Sequence, residues 1–172
     1  MKNLRFLQTV FLSFFILACN SDDNQNDAPV SNDQGINAII NGGSFNDYNF
    51  IDSIYQVTKS SNNTISINTG DASGNQITLF LNSSNGFGSG TVKPMGDFDE
   101  NNFVNYILVR QNNPELNYFS SSGHLTITAN RAHPTEIGMR LLSGSFEITA
   151  NTIDDSNSIE MNGSFMELEF ED

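Results

Sequence analysis

Few side chains in this sequence stand where they could do chemistry. The two histidines, His124 and His133, are nine residues apart. They lack the close spacing with which a helix presents a pair of metal ligands. His124 opens a strand-like run, and His133 precedes Pro134 in a loop-like one. The acidic stretch "DFDENN" sets Asp97, Asp99 and Asn101 at alternating positions, the spacing with which calcium loops offer oxygen ligands. That pattern breaks at its sixth position, Asn102 where Gly is required, and at its twelfth, Leu108 where Glu is required. Two readings stay open. One is a weak Ca²⁺ site completed by Asp71 and Asn75 or by Asp154 and Asp155; the other is ordinary Asx turns at all three stretches. No other cofactor is expected. "GFGSG", residues 86–90, is neither a nucleophile elbow nor a phosphate loop, because neither a helix nor a Lys-Ser/Thr pair follows. It reads as a hairpin or edge strand at which another backbone comes close. Acidic residues are abundant, yet nothing marks a facing pair of the kind glycoside hydrolysis needs. No catalytic residue is nominated, and the chain is expected not to be an enzyme.

One reactive group remains. Cys19 is the single cysteine of 172 residues, so no disulfide can close within the chain. It follows Lys2, Arg5 and the apolar run Phe6–Ala18, the layout of an export signal. That run falls short of the ~20 residues a spanning helix needs. Ile16, Leu17, Ala18 and Cys19 resemble the cleavage box of bacterial lipoprotein signals; Ala18 and Cys19 fit it, and Leu17 is bulkier than its usual small residue. The resemblance implies removal of residues 1–18 and lipid on Cys19, and so a partner in the membrane itself. Each buried methylene contributes ~0.8 kcal/mol, and one acyl chain alone holds only marginally, so a multiply acylated cysteine is the effective anchor.

After Cys19 the composition turns polar. Residues 20–34 hold four Asp and no Lys, Arg or aromatic residue, and such a segment cannot bury enough surface to order itself. Residues 19–34 are therefore expected to be a lipidated tether, reaching ~20 Å. Ser21, Asp22 and Asp23 resemble the acidic export signals that send lipoproteins of Bacteroidota to the outer leaflet of the outer membrane. The resemblance implies a lipid-anchored protein facing the cell exterior. Asp52–Ile54, "DSI", resembles the acceptor for O-glycosylation in exported proteins of the same phylum, which implies modification at Ser53. Without Lys2 and Arg5 the chain keeps five basic side chains against 20 acidic ones, a formal net charge of −15. That charge, with no basic run, excludes nucleic acid as a partner and leaves no electrostatic attraction to anionic lipid.

The elements that would position any site are strands. Apolar residues recur with period two in Ile36–Ile40, Tyr55–Val57, Ile65–Ile67, Ile77–Leu81, Leu125–Ala129 and Ile137–Ile148. "FVNYILVR" is apolar on both faces, as a central strand would be. Turn residues separate the runs at short intervals, among them 60–63, 70–75, 82–86, 111–114 and 154–158. The pattern predicts a single all-β domain over residues 35–172. Its form would be an antiparallel meander of about 8–10 strands, curled into a β-barrel-like sheet or packed as a β-sandwich. Gly144 and Gly163, inside the longest runs, favour the curled form by bending their strands. Each belongs to a "GSF" triplet, as does Gly43, with Ser expected outward and Phe inward.

"INAIINGGSFND", "GHLTITA" and "LLSGSFEITA…SIEMNGSF" resemble an uncharacterised all-β domain of Bacteroidota lipoproteins. The resemblance spans most of residues 36–170 and implies a fold and no activity. The expected function is non-catalytic binding at the envelope surface, with a glycan, a small molecule or an envelope protein as partner. A structural subunit of an outer-membrane assembly is the second reading, and a hydrolase the third. For a glycan, Tyr48, Tyr55, Tyr106 and Tyr118 are the candidate stacking platforms, since the chain has no Trp.

Overall fold

The computed structural model describes residues 34–61, 63–99 and 102–172. The signal, the tether, Cys19, Ser21, Asp22 and Asp23 lie outside the described residues, as does Asn101.

Nine strands account for the fold: β1 (Gly35–Gly42), β2 (Phe45–Ser61), β3 (Thr64–Asp71), β4 (Gln76–Asn82), β5 (Val92–Pro94), β6 (Tyr106–Gln111), β7 (Leu116–Ala132), β8 (Met139–Asn151) and β9 (Ser158–Glu171). They pair antiparallel in the order β5-β7-β6-β4-β3-β2-β1-β9-β8, and β8 returns to β7. That last pairing closes an eight-membered barrel and settles the choice between barrel and sandwich. Closure removes the open edges that a flat sheet would expose. β5 is the extra strand. It continues β7 where β6 stops, since β6 pairs with Leu116–Phe119 and β5 with His124–Thr126.

The period-two residues fill the barrel. Ile36, Ile40, Phe50, Ile65, Ile67, Ile77, Leu79, Ile107, Val109, Tyr118 and Phe165 are essentially inaccessible. The interior is a packed core, so the clefts described below lie on the outer wall. Two ends follow from the up-and-down path. The β1–β2, β3–β4, β6–β7 and β8–β9 turns share one end, and the entry at Gly35 lies at the other.

Three local features bear on the sequence expectations. Gly144 lies beside a ladder irregularity, whereas Gly163 sits in regular register with both β1 and β8, so no bulge marks it. Its role is to leave space: Phe146 pairs with Gly163 and Phe165 with Gly144, and each ring lies over the glycine opposite. In "GFGSG" the backbone does run against β7, Gly90 N donating to Ile127 O at 2.8 Å, yet a side chain at Gly86, Gly88 or Gly90 would meet open space. Gly86 and Gly90 are required for their φ of 79° and 83°. On β2, the period-two pattern changes parity at Ser53. Asp52 pairs with Asp71 and Ile54 with Gly70, leaving Ser53 as the extra residue of a bulge. Tyr48 and Phe50 pack on the core before it, and Tyr55 and Val57 after it.

A candidate ligand-binding face

β2, β3, β4, β6 and β7 lie side by side, and their register lines up outward side chains in rows across the wall. One row runs Ile54, Gly70, Gln76, Arg110, Asn117; the next runs Gln56, Asn68, Thr78, Leu108, Phe119. A third holds Ser66, Phe80 and Tyr106. Five strands at the usual spacing span ~19 Å.

Two clefts follow the rows. The first, of about 510 Å³, lies over Ile54, Tyr55, Asn68, Gly70, Gln76 and Thr78. The second, of about 470 Å³, lies over Gln76, Leu108, Arg110, Asn112, Asn117 and Phe119, with Glu115 on its rim. Gln76 lines both, so the two clefts are neighbours on the wall. Gly70 supplies the floor of the first by having no side chain. Ile54 forms its wall and is 72 % exposed, because the bulge at Ser53 turns it outward. Burial raises the pKa of the Tyr55 phenol, which accepts a hydrogen bond from Gln34 Nε2 at 2.8 Å. Leu108 is the reason "FVNYILVR" reads as apolar on both faces. It sits on the outer wall yet is 8 % exposed, beside Phe119 and Thr78. Phe80 and Tyr106 stack next to it, centroids 5.1 Å apart and planes at 22°.

A polar network fixes the end of this face. Tyr48 donates to Asp71 Oδ2 at 2.5 Å, and Asn75 Nδ2 donates to the Tyr48 hydroxyl at 2.9 Å. Asn75 Oδ1 accepts from the Asn112 amide at 3.0 Å, and Asn112 Nδ2 reaches the Ser73 carbonyl at 3.0 Å. Gln111 Nε2 donates to Ser44 Oγ and to the Asn113 carbonyl. The β1–β2, β3–β4 and β6–β7 turns are thereby tied together, and Asn112 is held at the cleft in one orientation.

The clefts are lined by one cation, Arg110, and one carboxylate, Glu115. Of the five Lys and Arg after residue 34, Lys59 and Arg140 pair with Asp172, Lys93 with Asp99, and Arg131 with Glu167. Arg110 is exposed and forms no ion pair with a described residue.

The residues nominated from sequence are placed elsewhere. Asp99 turns inward: its Oδ2 pairs with Lys93 at 3.1 Å, both side chains nearly buried, and its Oδ1 accepts from the Phe103 amide at 3.0 Å. A calcium ion at Asp99 would have to displace that ammonium. Asp97 accepts from the adjacent Phe98 amide. Asp71 and Asp154 close the expected Asx turns, Asp71 Oδ1 accepting from Ser73 and Asn75 and Asp154 Oδ1 from Ser156. Among the described residues no three His, Cys, Asp or Glu gather as a metal site. His133 Nδ1 accepts from the Glu136 amide at 3.0 Å, and His124 lies exposed on β7. Ser53 is exposed, its hydroxyl donated to the Gly70 carbonyl at 3.0 Å. Of the four tyrosines, Tyr118 is inside the barrel, Tyr48 belongs to the polar network and Tyr55 packs against the core; Tyr106 stands on the outer wall. Sequence reasoning missed Ile54, Gln76, Arg110 and Phe119. The visible signal was Leu108, an apolar residue of wrong parity for the core.

The chain matches no protein-family model, no curated protein and no solved structure.

Proposed function

We propose that the protein is an exported, lipid-anchored binding module, non-catalytic, that takes its ligand on the outer wall of β2, β3, β4, β6 and β7. The observation that carries this reading is the pair of neighbouring clefts that share Gln76, where apolar surface (Ile54, Leu108, Phe119) alternates in register with amides and hydroxyls. Apolar surface with a few fixed polar groups is the chemistry of a recognition site. The second cleft holds one carboxylate, Glu115, whereas glycoside hydrolysis uses two that face each other. The closed barrel leaves β5, three residues ending in Pro94, as the short edge for strand addition, which weighs against assembly through a sheet edge.

The anchor is lipid on Cys19, with Ser21, Asp22 and Asp23 directing the chain to the outer leaflet. β6 stands four places from β1 around the eight-membered ring. The second cleft therefore faces away from the strand at which the tether enters. Protease applied to intact cells is expected to remove the domain; full protection would refute surface exposure.

The binding reading is tested by thermal unfolding of the detergent-extracted full chain with a panel of glycans and envelope fragments. A ligand at 100 times its dissociation constant adds ~2.7 kcal/mol. The expected result is a shift that Gly70→Val abolishes, since that side chain would fill the first cleft. A shift unchanged in Gly70→Val and Phe119→Ala would place the ligand elsewhere.

A further inference from the structure

Given that binding face, we propose that its ligand is a polysaccharide bearing carboxylates, and that Arg110 is the group that grips the acid.

In a chain this acidic, cations are scarce, and among the described residues nearly all Lys and Arg are used. Lys59, Lys93, Arg131 and Arg140 hold acidic partners of the fold. Arg110 does not, and its backbone is already secured between β4 and β7 by pairing with Gln76 and Asn117. Its guanidinium therefore stands ready for a ligand. A planar fork of N–H donors matches a carboxylate with two parallel hydrogen bonds.

The neighbours of Arg110 define the rest of the ligand. Gln76 and Asn117 flank it on the adjacent strands, and Asn112 is fixed beside it by Asn75 and Ser73. Amides both donate and accept, as sugar hydroxyls do. Phe119 and Leu108, in the next row, offer an apolar patch for the C–H face of a ring. Glu115 at the rim accepts from hydroxyls and disfavours a second acidic group there. The acidic net charge works in the same direction, −13 for the full chain: a densely charged polyanion is repelled, whereas one carboxylate per bound sugar meets the one Lys or Arg among the described residues that forms no ion pair. The first cleft shares Gln76 and adds the polar side chains Asn68 and Thr78, which lie next along the wall for further units of a chain.

The test measures binding of the full chain, extracted in detergent, to polygalacturonate and to the same polymer with its carboxyls methyl-esterified. Wild type is expected to bind the acid and to bind the ester ~10–100-fold more weakly. Arg110→Gln should lose the preference for the acid, Arg110→Lys should restore part of it, and all three proteins should melt alike. Equal binding of acid and ester by wild type, unchanged in Arg110→Gln, would overturn the acidic ligand and leave the face intact. Failure of polygalacturonate, alginate and hyaluronate alike would also overturn it. A panel ligand of another class, lost in Gly70→Val, would in that case preserve the binding reading alone.

Discussion

The ring of Phe146 on β8 lies over Gly163 on β9, and its counterpart Phe165 lies over Gly144. A β-carbon built at Gly163 would come within 2.6 Å of Phe146 Cε2, and one at Gly144 within 2.9 Å of Phe165 Cε1. Two "GSF" triplets thus run antiparallel in exact opposition, each glycine seating the other's phenylalanine, with Ser145 opposite Ser164. These two triplets meet in the barrel, where each supplies what the other lacks.

The first prediction concerns that pair. Neither glycine has a positive φ, so substitution costs space and not backbone strain. Gly163→Ala and Gly144→Ala are each expected to destabilise by ~1–3 kcal/mol through overpacking, measured by urea unfolding. Combining Gly163→Ala with Phe146→Leu should cost less than the sum of the two. Strict additivity would show that the ring and the glycine do not compete for space.

Lys93 and Asp99 form a nearly buried ion pair at the start of the β5–β6 connection. Lys93→Met leaves the Asp99 charge buried and is expected to cost ~3–5 kcal/mol. Adding Asp99→Asn should recover part of that loss. Calcium is expected to leave the melting temperature of the wild type unchanged. A calcium-dependent rise removed by Asp97→Asn would instead restore the metal-site reading of this loop.

Stability should fall in acid. Hydrogen bonding from Lys59, with the Lys59 and Arg140 charges behind it, lowers the pKa of Asp172; hydrogen bonds from Thr152 and Ser156 lower that of Asp154. A carboxylate whose pKa is depressed by folding stabilises above its unfolded value of ~3.9 and loses that contribution as pH falls through the folded value. The melting temperature of the wild type should therefore drop below about pH 4. In Lys59→Met that acid slope should be shallower. At the other extreme, burial raises the pKa of Tyr118. The neutral phenol is favoured by the fold, and its contribution is lost as pH rises from ~10 through the higher folded value.

Gly70 separates binding from folding. A β-carbon there meets Asn75 O at 3.7 Å and side chains of Gln76 and Ile54 at 3.9 Å, ordinary contact distances. Gly70→Val is expected to melt within ~0.5 kcal/mol of wild type, as followed by circular dichroism. A large loss would disqualify this variant as a probe of the cleft, and Phe119→Ala would take its place.

The sequence by itself determined the class of the fold and the content of its core. Ile65 and Ile67 alternate with Thr64, Ser66 and Asn68, and alternation is satisfied by a strand with one face buried. The acidic turns were equally legible, because an Asx turn is made by residues two to four apart, as at Asp71 and Asp154. Even the outer wall left a trace in Leu108, which a core pattern cannot explain. Tertiary structure alone decided what stands opposite what. Gln76, Arg110 and Asn117 become one row only through the pairing of β4, β6 and β7. Gly144 and Phe165 become partners only through β8 and β9. Asp99 turned to Lys93, and away from any cation site, because β5 lies beside its loop. The bulge at Ser53 shifts the parity of β2 and exposes Ile54, a change that no local pattern announces. Period fixes which side of a strand a residue takes; register, set by contacts across the whole barrel, fixes its neighbours, and a binding face is made of neighbours.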